Sequence, residues 1–311
     1  MSGATKPALL VTGADLAPQA LALLNDFDVV YAGKTPSESD IVGLCARHDP
    51  VAIIVRYGKV GAAAIAAAPS LRVISKHGAG TDTIDKTAAA ARGVDVVAAA
   101  GANAAAVAEH ALALLLACAK SIPQLDARLR AGHWDKSTHK SLELGGRTIG
   151  IVGLGAIGLR FARMADAIGM RVIGFDPYAK EVPPSIERVD LDAIWGESDV
   201  VSLHCPLTAD NAKMIDAVTL GRCKRGVILV NTARGGLVEE DALIAAVRSG
   251  QVAAAGLDSF AVEPLPEGHP FRHESRIVLT PHIGGVTADA YVAMGVGAAN
   301  NVLTSLRAPV R

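Results

Sequence analysis

The sequence predicts an α/β protein with two parallel sheets, each buried between layers of helices. Short apolar runs rich in Val and Ile alternate with Ala-rich segments along the 311 residues, and such alternation is typical of βαβ units. The runs are apolar throughout, as strands covered on both faces should be. Because this length exceeds the usual limit of a single hydrophobic core, we expect two α/β units in succession.

The first unit is predicted from the runs in the first hundred residues. Strands are predicted at 8–13, 28–33, 51–56, 72–78 and 94–97. Helices are predicted between them, at 18–25, 41–47, 60–68 and 84–92.

The second unit begins with one long Ala-rich helix, predicted over 103–131 and ended by Gly132. A polar stretch follows, and then a second series of apolar runs. Strands are predicted at 148–153, 171–176, 199–204, 226–231, 252–258 and 277–282, and a last helix over 287–306.

Composition excludes several classes of protein. The chain is 50% apolar, with a net charge of -1, which excludes intrinsic disorder and argues against a nucleic-acid partner. The longest apolar stretch, 104–119, contains Glu109 and His110 and is shorter than the ~20 residues of a membrane span. No membrane contact is therefore expected. No metal site is expected either.

Four cysteines stand in apolar surroundings without any C-x-x-C pair. Reduced, mostly buried thiols are typical of a cytoplasmic protein, so a cytoplasmic location is expected. The four are Cys45, Cys118, Cys205 and Cys223.

A glycine turn joins the first strand of the second unit to a helix, in the string G-L-G-A-I-G. Gly153 permits the tight turn, Gly155 lets the backbone approach a pyrophosphate, and Gly158 lets the helix pack on the strand. The N–H groups at the helix start, around Ala156 and Ile157, attract an anion together with the helix dipole. This context predicts a dinucleotide site, and a glycine turn without a ligand is the lesser alternative.

Asp176 ends the next strand, 18 residues beyond Gly158. A carboxylate at this place accepts hydrogen bonds from the ribose hydroxyls and repels a 2′-phosphate. Pro177 and Tyr178 follow it and supply no Arg for that phosphate. The sequence therefore predicts NAD in preference to NADP.

Three later segments carry candidate catalytic residues at the predicted carboxyl ends of strands, where doubly wound sheets bind ligands. They contain Arg234, Glu263 and His282. An Arg can hold a carboxylate bidentately, a His can exchange a proton with a hydroxyl during hydride transfer, and a Glu can orient that His. Taken singly, each residue is more readily explained as an ordinary loop charge or loop histidine. Taken together, the three predict a 2-hydroxy acid dehydrogenase.

The strings N-T-A-R-G-G, G-L-D followed by E-P, and P-H-I-G-G resemble the D-isomer-specific 2-hydroxyacid dehydrogenase family. The resemblance extends over nearly the whole chain. It implies that Arg234 binds the substrate carboxylate and carbonyl, that His282 is the acid and base, and that Glu263 orients His282.

The same resemblance implies further cofactor contacts. Asp258 would hold the nicotinamide carboxamide, and Cys205 and Pro206 would line the adenosine side. Ala233 and Arg234 would contribute to the nicotinamide pocket. Asn211 departs from the family, which often has Thr at that place.

The resemblance also implies the organisation of the chain. A flavodoxin-like substrate domain would comprise 1–100 plus 286–311, and a Rossmann NAD-binding domain would comprise 101–285. This replaces the simple succession of two units by a discontinuous first domain. A homodimer built on the helix near 103–131 is implied as well, and no regulatory domain is expected after Arg311.

Substrate-binding residues are predicted in the first unit. The string K-H-G-A-G-T-D resembles the family's substrate loop, so the N–H groups of Ala79 and Gly80 would bind the substrate carboxylate, a plain strand-to-helix turn being the alternative. Arg56, in V-R-Y-G, resembles the Arg with which phosphoglycerate dehydrogenases bind the phosphorylated end, a surface Arg being the alternative.

A basic stretch after the long helix offers a second set of cations. Lys136, His139 and Lys140 would reach a phosphate across a dimer, although a solvated loop is the favoured interpretation. The sequence thus predicts a short phosphoglycerate dehydrogenase-like enzyme acting on a small 2-hydroxy or 2-keto acid. A glyoxylate or hydroxypyruvate reductase is the alternative, and an NAD(H)-sensing corepressor-like protein is a remote one.

Overall fold

A computed structural model describes residues 6–308 of the chain. The described residues do not include 1–5 and 309–311, which belong to the predicted first domain. The chain end at Arg311 therefore also lies outside them. The chain divides into two compact units: the described parts of Met1–Asn103 and Gly285–Arg311 form the first, and Ala104–Gly284 forms the second.

The first unit, within residues 6–308, contains a five-stranded parallel sheet in the order β2-β1-β3-β4-β5. This is the flavodoxin-like order, as the resemblance implied. The strands are β1 (Ala8–Val11), β2 (Asp28–Tyr31), β3 (Ala52–Val55), β4 (Val73–Lys76) and β5 (Asp95–Ala98). The helices are α1 (Pro18–Leu21), α2 (Glu38–His48), α3 (Ala62–Ala66) and α4 (Lys86–Ala91), with α11 (Ala288–Arg307) returning to this unit.

The central strands are continuously apolar because the side chains on both faces of the sheet are buried. Leu10 and Ile53 pack into the core on one face of the sheet, whereas Leu9 and Ile54 pack into the core on the other face, beneath α1 and α11. All four side chains are buried. Both faces of the sheet are therefore covered.

The second unit contains, within the described chain, a seven-stranded parallel sheet in the order β12-β11-β10-β9-β6-β7-β8. The order reverses between β6 and β9, so the turns that follow these two strands start side by side at the topological switch point, where Val152 is in register with Leu203. The strands are β6 (Thr148–Val152), β7 (Arg171–Phe175), β8 (Ile186–Arg188), β9 (Val200–Leu203), β10 (Val227–Asn231), β11 (Val252–Leu257) and β12 (Ile277–Leu279). The helices are α5 (Ala104–Lys120), α6 (Ile122–Arg130), α7 (Ala156–Ala167), α8 (Leu191–Glu197), α9 (Ala217–Arg222) and α10 (Glu240–Ser249).

The prediction of one helix over 103–131 is wrong, because the segment forms two helices. Ser121 adopts the left-handed conformation with φ 52°, and the ring of Pro123 in the first turn of α6 suits a helix start but not a helix interior. The two helices are bent by 59° at this break. Among the described residues no single helix is long and apolar enough to cross a membrane, although this bent pair meets the length and composition requirement when taken together.

Candidate active site

The glycine turn after β6 has the backbone geometry that only glycine accommodates. Gly153 has φ +96°, and a Cβ added to it would lie 2.7 Å from the backbone N of Cys205 and 2.7 Å from the carbonyl carbon of His204. A Cβ added to Gly158 would lie 2.0 Å from the carbonyl oxygen of Gly153. The first glycine therefore lets the turns after β6 and β9 touch, and the last one lets α7 approach β6.

Gly155 is different, because the space beside it is open. It is the N-cap of α7, and a Cβ added to it would meet no described heavy atom within 4 Å. Gly155 and Ala156 are exposed, and Ile157 is half-buried. An open space at a helix N-terminus suits a pyrophosphate, so this turn fits a dinucleotide.

Asp176 closes the turn from the end of β7. Its Oδ2 accepts the backbone N–H of Leu154 at 2.8 Å, and its Oδ1 accepts that of Tyr178 at 2.8 Å. Arg188, on the edge strand β8, donates to the carbonyl oxygen of Asp176 at 3.2 Å. Sequence reasoning missed this Arg, because the short polar strand that carries it has no apolar run to reveal it.

The loop after β9 contains the predicted adenosine-side residues. Cys205 is half-buried and Pro206 is exposed, and burial raises the pKa of the Cys205 thiol to about 11. Asn211 donates to the carbonyl oxygen of Pro206 at 2.8 Å and accepts the N–H of Thr208 at 2.7 Å. Asn211 therefore closes this loop on itself.

Arg234 follows β10 in a loop that Asn231 holds in shape. The buried Asn231 side chain accepts the N–H of Ala233 at 3.0 Å and donates to the carbonyl oxygen of Arg234 at 2.9 Å. The Arg234 side chain donates to the carbonyl oxygen of Ala233 at 2.7 Å. Asn231 was missed as a positioning residue, although a buried amide at the end of an apolar strand was a signal for it.

His282 and Glu263 lie together, as the sequence predicts. Nδ1 of His282 lies 2.7 Å from Oε2 of Glu263, whose Oε1 accepts the backbone N–H of Phe260 at 3.0 Å. His282 has φ 54°, and both side chains of the pair are partly exposed. A cavity of about 570 Å³ adjoins the pair.

Asp258 lies beneath the His282 loop and is almost completely buried. Its Oδ1 accepts the hydroxyl of Thr280 at 2.6 Å and the N–H of Ile283 at 2.9 Å, and its Oδ2 accepts the N–H of Gly284 at 2.8 Å. Nε2 of His110 lies 2.9 Å from the Thr280 hydroxyl. Three hydrogen bonds to this carboxylate thus come from the His282 loop. The sequence did not reveal that Asp258 supports this loop.

The predicted substrate residues of the first unit follow the ends of two neighbouring strands. Arg56 comes directly after β3 and Ala79 and Gly80 come shortly after β4, and these strands pair in register at Val55 and Lys76. Arg56 and Gly80 are half-buried, and Ala79 is exposed. The structure therefore places the three at the carboxyl edge of the first sheet.

The basic stretch after α6 lies elsewhere in the second unit. His139 and Lys140 line a separate cavity of about 490 Å³ with Gly226 and Ala253, near the amino ends of β10 and β11. The candidate catalytic residues follow the carboxyl ends of those strands. The basic stretch, which includes Lys136, therefore lies at the opposite end of these strands from His282 and Glu263.

Comparison with known proteins identifies the family. Residues 112–284 match the model described as D-isomer specific 2-hydroxyacid dehydrogenase, NAD binding domain. The chain is 42% identical over 295 residues to the D-3-phosphoglycerate dehydrogenase of Mycobacterium leprae, covering 94% of this chain and 55% of that protein. It is 41% identical over 286 residues to the hydroxypyruvate reductase of Thermotoga maritima, covering 91% and 93%.

The solved structures agree with this result. The crystal structure of a glyoxylate reductase from Paecilomyes thermophila has a TM-score of 0.87 at 30% identity and covers 97% of this chain and 96% of its own. The chain spans about half the length of the phosphoglycerate dehydrogenases that it matches. The chain belongs to the D-isomer specific 2-hydroxyacid dehydrogenase family, and its second unit carries the NAD-binding domain of that family.

Proposed function

We propose that the chain catalyses the NAD-dependent interconversion of a D-2-hydroxy acid and the corresponding 2-keto acid. The hydrogen bond of 2.7 Å between Nδ1 of His282 and Oε2 of Glu263 carries the proposal. It occupies one ring nitrogen of His282 with a carboxylate, so Nε2 is the nitrogen that exchanges a proton with a substrate. The pair belongs to the same unit as the glycine turn.

Each candidate residue then has a defined task. A cofactor held at the glycine turn would supply the redox chemistry, as NAD⁺ for the oxidation and as NADH for the reduction. Nε2 of His282 takes the proton of the 2-hydroxyl as the C–H bond breaks, and returns it to the carbonyl oxygen in the reverse direction. Glu263 stabilises the imidazolium that forms, and the guanidinium of Arg234 binds the substrate carboxylate through paired hydrogen bonds.

The cofactor contacts follow the geometry of the second unit. The N–H groups after Gly155 would hold the pyrophosphate and Asp176 the ribose hydroxyls. We also propose Cys205 and Pro206 for the adenosine side, and Ala233 with Arg234 for the nicotinamide pocket. For Asp258 we propose a contact to the carboxamide, in addition to its support of the His282 loop.

The substrate class is open between two members of the family. The relatives include a D-3-phosphoglycerate dehydrogenase and a hydroxypyruvate reductase, and the chemistry at the second carbon is the same for both. We propose that the first domain, made of 1–100 and 286–311, binds the substrate carboxylate through the N–H groups of Ala79 and Gly80. Arg56 would lie at the far end of the substrate. The NAD-binding domain would then comprise 101–285.

The activity is tested with NADH and a panel of 3-phosphohydroxypyruvate, hydroxypyruvate and glyoxylate. We expect turnover of at least one acid, and a fall of about 10²- to 10⁴-fold in kcat for His282→Ala with the affinity for NADH retained. His273, an exposed histidine of the same unit, provides the matched control His273→Ala. NADH binding without turnover of any acid would favour a sensor; full turnover in His282→Ala would remove the proposed mechanism.

We further propose a cytoplasmic homodimer. The segment around α5 and α6 exposes large apolar side chains, including Leu116, Ile122, Leu129 and Trp134, which are 38%, 56%, 57% and 77% exposed. Exposed apolar side chains this close together in the sequence favour an interface on this segment. Sedimentation velocity should show a dimer that Leu129→Asp weakens and Leu23→Asp, at an exposed leucine of the first unit, does not.

The cytoplasmic part of the proposal rests on the cysteines. All four lie in the described part of the chain and are unpaired. Burial raises the pKa of Cys45, Cys118 and Cys223 to about 11, 12 and 11, so these thiols are unreactive at neutral pH.

A further inference from the structure

Arg56 is held in an ion-pair cluster of the first unit. Its Nη1 donates to Oδ1 of Asp15 and to the Asp15 carbonyl oxygen, the latter at 2.6 Å. The hydroxyl of Tyr291 donates to the same Oδ1 at 2.8 Å. The guanidinium carbon lies 5.2 Å from the ring centroid of Tyr57 and 5.0 Å from that of Tyr291. One carboxylate and two rings therefore surround the guanidinium.

The cluster leaves Arg56 little freedom to turn toward a ligand. The Arg56 side chain is only 11% exposed, and a Cβ added to Gly13 would lie 3.0 Å from its Cδ, so the stem is packed against the backbone after β1. Lys76 is also engaged here, because its ammonium donates to the carbonyl oxygen of Arg56 at 3.1 Å. Arg56 and Lys76 are thus both engaged in contacts within the unit.

The electrostatic consequence is that the positive charge of Arg56 is cancelled locally. Hydrogen bonds from Tyr291 and Arg56 lower the pKa of Asp15, so its carboxylate is ionised at neutral pH. His77 lies near the same ring of Tyr291, and burial lowers its pKa to about 4, so it adds no positive charge. A phosphate dianion approaching Arg56 would meet a neutral pair and the exposed carboxylate of Asp15.

We propose that Asp15 is a specificity-determining residue that withdraws Arg56 from anion binding and selects 2-keto acids whose third carbon carries no charge. Hydroxypyruvate fits this class, because its end is a hydroxymethyl group, and glyoxylate fits because it has no third carbon. An ester phosphate does not fit. This inference rests on the proposed function and on the proposed place of Arg56 at the far end of the substrate, and it separates the two substrate candidates.

The test compares two substrates that differ only in the phosphate. For the wild-type chain with saturating NADH, we expect kcat/KM for hydroxypyruvate to exceed that for 3-phosphohydroxypyruvate by about tenfold or more, equivalent to ~1.4 kcal/mol. Asp15→Asn removes the charge and keeps the shape. We expect it to shift the ratio by about tenfold toward the phosphorylated acid, since a charge-assisted contact from Arg56 becomes available.

Asp26→Asn is the matched control, because it removes an exposed carboxylate of the same unit, and it should leave the ratio unchanged. Tyr291→Phe removes only the hydroxyl that supports Asp15 and should shift the ratio in the same direction by less. A wild-type preference for the phosphorylated acid would overturn the proposal even if Asp15→Asn does not fold, and so would an unchanged ratio in a folded Asp15→Asn. Turnover of neither acid would instead overturn the proposed function.

Discussion

Gly284 donates its backbone N–H to Oδ2 of Asp258 at 2.8 Å, two residues beyond His282. The other oxygen of the same carboxylate accepts the N–H of Ile283. The backbone that follows His282 is thus fixed by a buried acid, and this compensates for the left-handed conformation of His282, at φ 54°, which costs free energy for a residue with a side chain.

Asp258→Asn should therefore damage catalysis through the position of His282. An amide has only one accepting atom. The substituted side chain therefore could not accept the N–H groups of Ile283 and Gly284 on two separate oxygens, as the carboxylate does. We expect kcat to fall by about 10²-fold, the order of effect of a displacement of ~1 Å, with the Kd for NADH within threefold. A parallel rise in that Kd would show instead that the contact to the cofactor is the main role of Asp258.

Glu263→Gln should impair proton exchange while preserving the fold. Glu263 accepts the N–H of Phe260 through Oε1, so a Gln that keeps this bond turns its NH₂ group toward Nδ1 of His282. The neutral imidazole then carries its proton on Nε2 and cannot accept one from a hydroxyl there. We expect kcat/KM for a hydroxy acid to fall by about 10²-fold, measured across the pH range, whereas Glu267→Gln, in the same loop, should have no effect.

Two alanine substitutions should separate binding from folding at the glycine turn. Gly155→Ala adds a methyl group to open space, so the melting temperature should be retained while the affinity for NADH falls by at least tenfold. Gly158→Ala forces a clash with the carbonyl of Gly153 and should lower the melting temperature as well. Thermal unfolding and NADH fluorescence titration measure the two effects; unchanged NADH affinity in Gly155→Ala would exclude the pyrophosphate from this position.

The sequence predicts the strands that apolar runs mark, and it misses contacts between residues far apart in the chain. Each strand predicted from an apolar run is present. His282 and Glu263 lie within hydrogen-bond distance, as the resemblance to the family implies. The break at Ser121 was missed although Pro123, two residues further on, is typical of a helix start and not of a helix interior. The pairing of Asp15 with Arg56 was missed because 41 residues separate them, and only the alignment of β1 with β3 in the sheet brings them together.

Asp176 and Arg188 together should determine the choice between NAD and NADP. The carboxylate repels a 2′-phosphate, while Arg188, whose guanidinium reaches the backbone of Asp176, is placed to bind one. The wild-type chain should prefer NADH, and Asp176→Ser should raise the relative kcat/KM for NADPH by about 10- to 10²-fold. Adding Arg188→Ala should reverse most of that gain; a gain that survives in the double variant would show that another cation binds the phosphate.

His77 should make the first unit sensitive to acid. Its pKa is lowered to about 4, mainly by burial and then by Arg56, and its Nε2 has no hydrogen-bond partner among the described residues. The unfolded chain, with a His pKa near 6.5, takes up the proton first, so stability falls as the pH drops from about 6.5 to 4. Between pH 7 and pH 5 this contributes a loss on the order of 2 kcal/mol. Urea unfolding of His77→Gln should show a correspondingly smaller loss over that interval than the wild type, and equal losses in the two proteins would show that His77 is protonated in the folded state.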